Sequence, residues 1–236
     1  MQEENTIYLD GETLSSSEVQ MVAEGKATVA ISQDSWVKIN AARSVVEGIL
    51  ERGETVYGIN TGFGALVKER ISNDDLSNLQ RNLIRSHATA LGDLMSKELV
   101  RAMMVTRANS LAKGCSGAHP DVINQLLAFI NNDICPAIPR IGSLGASGDL
   151  APLSHMALSL IGEGEVLTDS GVGPTRDALL ANGLIGINLR AKDGLSLING
   201  TSQMLSLLVA AEQRLSQLIP LADVIMCTSL EARKGS

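Results

Sequence analysis

The chain has 236 residues, 44% of them hydrophobic, long enough to bury a core and too apolar for disorder. Its net charge of −7 and lack of any basic run exclude nucleic acid and anionic membrane surfaces as expected partners. Aromatics are only 2% of the chain, so the core must be aliphatic, which suits packed helices better than a sheet sandwich.

The polar, acidic start MQEENTIYLDGE lacks the layout of a signal peptide. The strongest apolar run, Ile198 to Val209, is broken by Asn199, Thr201 and Gln203, and no run is expected to span a bilayer. Cys115, Cys135 and Cys227 are odd in number and far apart, neither a disulfide framework nor a metal set. The expected location is the reducing cytoplasm.

Thr6 to Leu9, followed by Asp10-Gly11, reads as a strand and turn. Asp34 or Ser35 can cap a helix ending near Gly53, with Val37, Ala41, Val45 and Ile49 on one apolar face. Ser72 and Asp75 resemble a capping box ahead of Leu76, Leu79 and Leu83. Ser96 opens a helix with a stripe of Leu99, Val100, Met103, Met104, Ala108 and Leu111, stopped by Gly114. Pro120 suits a first helical turn leading to Val122, Leu126 and Phe129. Stretches 149–161 and 201–218 read as helices apolar on most sides, hence central, and 221–232 continues in helical character. An apolar helix of that kind must meet a further segment or another chain. Two glycine-rich loops, 58–64 and 142–148, interrupt this background. The expected organisation is an N-terminal domain over 1–200 and the start of a helical bundle over 201–236.

The run GSLGASGDLAPLSH, Gly142 to His155, carries the most chemistry. Its plain reading is a glycine-rich connector that lets the chain enter the next helix, and from composition alone that reading stands level with a chemical one. A phosphate loop would need a lysine after the glycines, and Asp149 sets a carboxylate where phosphate charge should sit. A serine-hydrolase elbow would need GxSxG, which Gly145-Ala146-Ser147-Gly148-Asp149 does not supply. The third reading uses the backbone. Attack of the Gly148 amide nitrogen on the Ala146 carbonyl, with loss of water, closes a five-membered ring. Loss of the Ser147 hydroxyl then leaves an exocyclic methylidene. Gly148 permits the close approach because it has no Cβ.

This run resembles the methylidene-imidazolone segment of the histidine and aromatic amino-acid ammonia-lyases and related aminomutases, whose usual form is close to GSVGASGDLAPLAH. Further segments follow in the family's order: VYGINTGFG (56–64), LQRNLIRSH (79–87), TRANSLAKGCSG (106–117) and KDGLSLINGT (192–201). The resemblance implies a mainly α fold of the fumarase–aspartase kind with a small N-terminal strand-containing region. It implies a homotetramer with shared active sites, or a complementing C-terminal chain. The electrophile would be a 4-methylidene-imidazol-5-one formed autocatalytically from Ala146-Ser147-Gly148, with no metal and no dissociable cofactor.

Residue by residue, the resemblance makes Tyr57 the base that removes the substrate's β-proton. A free phenol titrates near about 10, so the site must ease that transfer. Asn199 would support the ring; read without the family, it caps the next helix. Ser86-His87 resembles the histidine-selective members, where phenylalanine-selective ones carry Phe-Leu and tyrosine-selective ones His-Leu. The expected reaction is elimination of ammonia from L-histidine to give urocanate. Tyrosine or phenylalanine ammonia-lyase, an aminomutase, and a non-catalytic helical assembly fragment are the alternatives. A serine hydrolase using Ser147 is a further rival, and labelling by fluorophosphonates separates it.

One departure stands near the site. ATALG replaces the family's AAGIG, so Ala90 stands where a glycine is usual. Family members are about twice as long, and their second half supplies another tyrosine and a carboxylate-binding arginine. Arg107 is expected in a structural ion pair, Asp149 as the N-cap of the helix that follows it, and His155 and the cysteines in structural roles.

Overall fold

The computed structural model describes residues 5–62, 71–72 and 75–235. Phe63 and Gly64 of the first glycine loop lie outside the described residues.

The chain begins with β1 (Thr6–Leu9), α1 (Ser16–Ala23) and β2 (Thr28–Ile31). β1 and β2 pair in parallel, Thr6 opposite Thr28 and Leu9 opposite Ile31, with α1 as the crossover. Asp10 closes β1 by accepting the Glu12 and Thr13 N–H groups, both at 2.8 Å. These bonds and the Thr13 hydroxyl hold its carboxyl down at about 2.

Helix α2 (Gln33–Glu51) starts two to three residues earlier than the sequence suggests, because Ser32, not Asp34 or Ser35, is the cap and accepts from the Ser35 N–H. Its buried face is also different. Val37 and Val45 are 63% and 62% exposed, while Ser35, Ile39, Arg43 and Val46 are buried. Arg43 accounts for the change, donating to the carbonyl of Ala191 at 3.0 Å and meeting the Asp193 carboxylate at 3.5 Å. Hydrophobic periodicity scores that arginine as a solvent position, and the fold uses it as a buried crosslink.

Helix α3 (Leu76–His87) is followed at once by β3 (Leu91–Leu94). The Ser72 hydroxyl donates to the Asp75 carboxylate at 2.7 Å, but Asp75 makes no side-chain bond into the helix, so the capping box is incomplete. Helix α4 (Lys97–Ala112) matches its expected Ser96 cap and buried stripe, and Gly114 leaves it at φ +71°. A Cβ on Gly114 would come within 2.5 Å of the Lys38 side chain, so glycine is needed for space as well as conformation. Helix α5 (Pro120–Asn131) has Pro120 in its first turn, as expected, and His119 as its side-chain cap.

β4 (Pro139–Ile141) then leads into the second glycine loop and α6 (Leu150–Leu160). A hairpin of β5 (Glu165–Thr168) and β6 (Gly171–Pro174), α7 (Thr175–Ala181) and α8 (Asp193–Ile198) precede the long α9 (Ser202–Ala232). The two stretches 201–218 and 221–232 are thus one helix, with Pro220 inside it. The core gathers α1, α4, α5, α6 and the first turns of α9 around Phe129, Met103, Met104, Leu126 and Met156. The central position expected for α6 is borne out by its buried Ala151, Leu153, Met156, Ala157 and Leu160.

By length and composition the continuous stretch 193–232 is apolar enough to cross a bilayer, contrary to the expectation from its polar interruptions. The residues of α9 buried within the fold are Ser202, Gln203, Ser206 and Val209, a mostly polar set packed on α4, so the stretch 201–218, contrary to expectation, is not buried on most sides. Beyond residue 210 its leucines, isoleucines and valines are largely exposed, Leu215 and Val224 among them.

Candidate active site

The pairing of β3 with β4 assembles the site. Its antiparallel register sets Leu91 opposite Ile141, which puts the end of α3 beside the start of the 142–148 loop. At that junction a Cβ on Gly142 would lie 2.7 Å from the Ala90 Cβ. The Ala90 N–H is donated to His155 Nε2 at 3.2 Å, so α6 grips the same corner. Burial lowers the pKa of His155 and keeps the ring neutral for that bond.

A cavity of about 220 Å³ results, lined by Ser86, His87, Ala146, Ser147 and Gly148 among others. The expected electrophile segment and the expected selectivity pair thus share one wall. The His87 ring is fixed by Nδ1, 2.8 Å from the Leu83 carbonyl and 3.1 Å from the Ser86 hydroxyl. A carbonyl only accepts, so Nδ1 carries the hydrogen, and in the neutral ring that makes Nε2 the acceptor. Ser86 donates to the same Leu83 carbonyl at 2.9 Å.

Ala146 and Ser147 are exposed, and Gly148 is buried. Gly148 has φ +117°, and a Cβ there would stand 2.4 Å from the Gly200 carbonyl oxygen. Only glycine fits that position. The next amide, Asp149 N–H, donates to the same carbonyl at 2.6 Å. Asp149 occupies the N-cap position of α6 but makes no side-chain bond into that helix. Its carboxylate accepts the Ser143 hydroxyl at 2.6 Å and the Met204 N–H at 3.0 Å. It therefore caps α9, whose own cap Thr201 makes no side-chain bond. Asp149 thus stands at the N-cap position expected of it and holds the loop through Ser143, but its side-chain bond goes to a second helix, which the sequence could not show.

Asn199 is the C-cap of α8, not the N-cap of α9, and its side chain is exposed. Its carbonyl accepts from Arg107 Nη2 at 3.1 Å, and the same nitrogen donates to the Ser196 carbonyl. Arg107 thus makes no ion pair among the described residues, contrary to expectation. It ties off the last carbonyls of α8 and stands against Gly200, where a Cβ would fall 2.1 Å from Nη1. Burial pushes its pKa down to about 10.

Tyr57 is 60% exposed and does not line the cavity that holds Ser147. Its turn is built by Asn60, which accepts the Val56 N–H at 2.9 Å and donates to the Glu54 carbonyl at 2.7 Å. The turn rests on α8, since a Cβ on Gly58 would meet Leu195 at 2.8 Å. Through Leu195, Asn199 and Gly200, the Tyr57 turn and the Gly148 loop are mounted on one support. The turn-building role of Asn60, the backbone partners of Arg107 and the Asp149–Met204 bond are the parts of this support that sequence reasoning missed. Asp193 completes its base, accepting the Arg190 N–H at 2.7 Å and the His119 N–H at 2.9 Å; burial raises its pKa to about 6.

A cavity of about 670 Å³ lined by Ala23, Lys97 and Arg101 among others contains none of these groups. Arg101 in its wall is consumed by the carbonyls of Val22 and Ile130 and by Asp133. No group of three His, Cys, Asp or Glu side chains that could hold a metal gathers among the described residues.

A helical scaffold that presents an Ala-Ser-Gly loop on a glycine-backed support defines a class, and comparison with known proteins agrees. Residues 14–236 match the family model described as aromatic amino acid lyase, and the chain belongs to that family. It is 45% identical over 229 residues to a histidine ammonia-lyase of Geobacillus thermodenitrificans (strain NG80-2), covering 97% of this chain and 45% of that enzyme. The crystal structure of histidine ammonia-lyase from Trypanosoma cruzi superposes with a TM-score of 0.91 at 37% identity, covering 98% of this chain and 45% of that one. A tyrosine aminomutase structure from Streptomyces globisporus gives 0.81 at 43% identity, covering 86% of this chain and 38% of that one. The chain therefore spans less than half the length of these relatives. The mainly α fold expected from the sequence is borne out.

Proposed function

We propose that the protein is the electrophile-bearing part of an ammonia-lyase that converts L-histidine to urocanate and ammonia. The observation that carries this reading is the shared cavity of Ser86, His87 and Ala146-Ser147-Gly148. The segment fits the ring expected of it, since Gly148 sits where no Cβ has room and Ser147 is exposed to the cavity. Closed into a methylidene-imidazolone, it supplies the electrophile that makes the substrate's amine a good leaving group.

The remaining steps belong to side chains. His87 Nε2 accepts an N–H from the substrate imidazole, an interaction that a phenyl ring cannot make. Tyr57 takes the β-proton. The Asn199 amide, on the turn held by Arg107, steadies charge that develops at the loop. No metal or dissociable cofactor is needed for this chemistry.

The exposed apolar face of α9, with Leu215, Leu218, Leu221 and Val224, supports assembly into a homotetramer with shared sites, or with a complementing C-terminal chain. A cytoplasmic setting accords with the free Cys115, Cys135 and Cys227. A second reading, a tyrosine-directed aminomutase, draws on the 43% identity to the Streptomyces globisporus structure. Ser86-His87 and the histidine ammonia-lyase relatives favour histidine.

Intact mass is the test. Ring closure lowers the mass of the protein by two waters within residues 146–148, and Ser147→Ala in the full-length enzyme abolishes urocanate formation without unfolding it. An uncyclised wild type, or a fully active variant, overturns the proposal. Turnover of tyrosine in preference to histidine selects the second reading.

A further inference from the structure

Behind the Asn199 turn lies a second cavity, of about 340 Å³, that shares no residue with the Ser147 cavity. Arg107, Lys113 and Lys192 line it together with Ser110 and Ser116, and no carboxylate does so among the described residues. In a chain of net charge −7 this is a local excess of positive charge. None of the three cations forms an ion pair among the described residues. Arg107 is 4% exposed, and its Nε–H has no hydrogen-bond partner among the described residues. Lys192 is half-buried, and burial lowers its pKa. The carboxylate next to it in sequence, Asp193, is already engaged by Arg43 and two backbone N–H groups.

Arg107 is buried and Lys192 half-buried, so both are poorly solvated, and the exposed Lys113 adds a third like charge to the same cavity. An anion between them offsets both costs, and the two serine hydroxyls add donors suited to oxygen ligands. We propose that this cavity is a binding site for a small oxyanion of the phosphate type. Lys113 and Lys192 supply charge at its mouth, Arg107 supplies charge at its base, and Ser110 and Ser116 orient the oxygens. Because Arg107 also holds the Asn199 carbonyl and backs Gly200, an occupied site stiffens the support beneath the Gly148 loop. The inference rests on charge and burial in this cavity and does not depend on the lyase reading.

Calorimetric titration of the intact protein with inorganic phosphate, against chloride at matched ionic strength, tests it. Wild type should show saturable uptake of one phosphate per chain. Lys113→Gln combined with Lys192→Asn should weaken it by roughly tenfold or more, as charge-assisted bonds are lost. Asparagine suits position 192, whose φ is +74°. Lys113→Gln alone, at an exposed position, should weaken binding several-fold and keeps the test open if the double variant misfolds. Heats that match chloride, or a folded variant that binds phosphate like wild type, overturn the proposal.

Discussion

The Asp149 carboxylate receives the Met204 N–H at 3.0 Å, joining the loop after Gly148 to the first turn of the longest helix. Because Ser143 donates to the same carboxylate at 2.6 Å, the loop is fastened at both ends by one buried side chain. Asp149→Ala leaves the Met204 N–H and the Ser143 hydroxyl without their charged acceptor. The expected loss is about 1.5–3 kcal/mol, the usual worth of a hydrogen bond to a charged group. Asp149→Asn keeps the shape and should lose less. Denaturant midpoints of wild type and the two variants check the order, and an Asp149→Asn midpoint equal to that of wild type would mean that the charge at the α9 terminus contributes nothing.

Gly148→Ala meets two obstacles together, a φ of +117° and a Cβ 2.4 Å from the Gly200 carbonyl oxygen. The left-handed backbone alone costs an L-residue about 1–2 kcal/mol, and relief of the contact must push the loop off α8. The variant should be less stable than wild type and should fail to lose water from residues 146–148. Intact mass and urea denaturation report the two effects separately. A variant of wild-type stability that still cyclises would show that the backbone at 148 is free to relax.

His155 gives the site a pH dependence with a defined sign. Burial lowers its pKa below the ordinary 6.5, so the unfolded chain binds a proton that the folded chain resists. The stability that the neutral ring contributes is present above pH 6.5 and declines as pH falls below that value. Protonation also removes the acceptor for the Ala90 N–H. His155→Gln offers an oxygen acceptor that does not titrate, so its stability should fall less steeply between pH 6.5 and 5. Melting temperatures of both proteins across that range decide it; parallel curves would assign the acid sensitivity to other groups.

The contrast between α4 and α2 shows what the sequence could and could not reveal. Helix α4 was legible because its Ser96 cap, apolar stripe and Gly114 stop all act within one segment. Helix α2 was legible as a helix, but its buried face was not. Arg43 is buried by partners 74 to 150 residues away. The same holds for β3 and β4, which no alternation announces. Leu91 and Leu94 are exposed, and the pair is made by register across the glycine-loop corner. The Ala-Ser-Gly segment could be singled out from sequence because the ring chemistry proposed for it needs only three consecutive residues. The ion pair expected of Arg107 is absent among the described residues, and the bond of Asp149 into α9 was not foreseen, because both side chains find backbone partners, which carry no signature in residue types.

Tyr57→Phe in the full-length enzyme removes a hydroxyl from an exposed turn whose backbone is held by Asn60. Folding and the two-water mass deficit should be unchanged. The catalytic constant should collapse while histidine still binds, the pattern of a group that acts in the transition state. A rise in KM at unchanged kcat would assign Tyr57 to binding.

Selectivity should reside in Ser86 and His87. Both line the cavity that Ser147 enters, and the bond to Leu83 fixes the His87 ring with Nε2 as an acceptor. Exchanging the pair for Phe-Leu in the full-length enzyme removes that acceptor and lines the cavity with apolar surface. A histidine substrate then leaves an imidazole N–H without its partner, at a cost of about 1–3 kcal/mol, or roughly 5- to 150-fold in relative use. Phenylalanine loses nothing polar and gains apolar contact. The expected outcome is a fall in kcat/KM for histidine and a rise for phenylalanine, with the mass deficit at residues 146–148 preserved. The ratio of the two specificity constants, measured in wild type and variant, is the deciding quantity. If it does not move, substrate choice is made by groups contributed from outside this chain, and His87 serves only to close the end of α3 through its bond to Leu83.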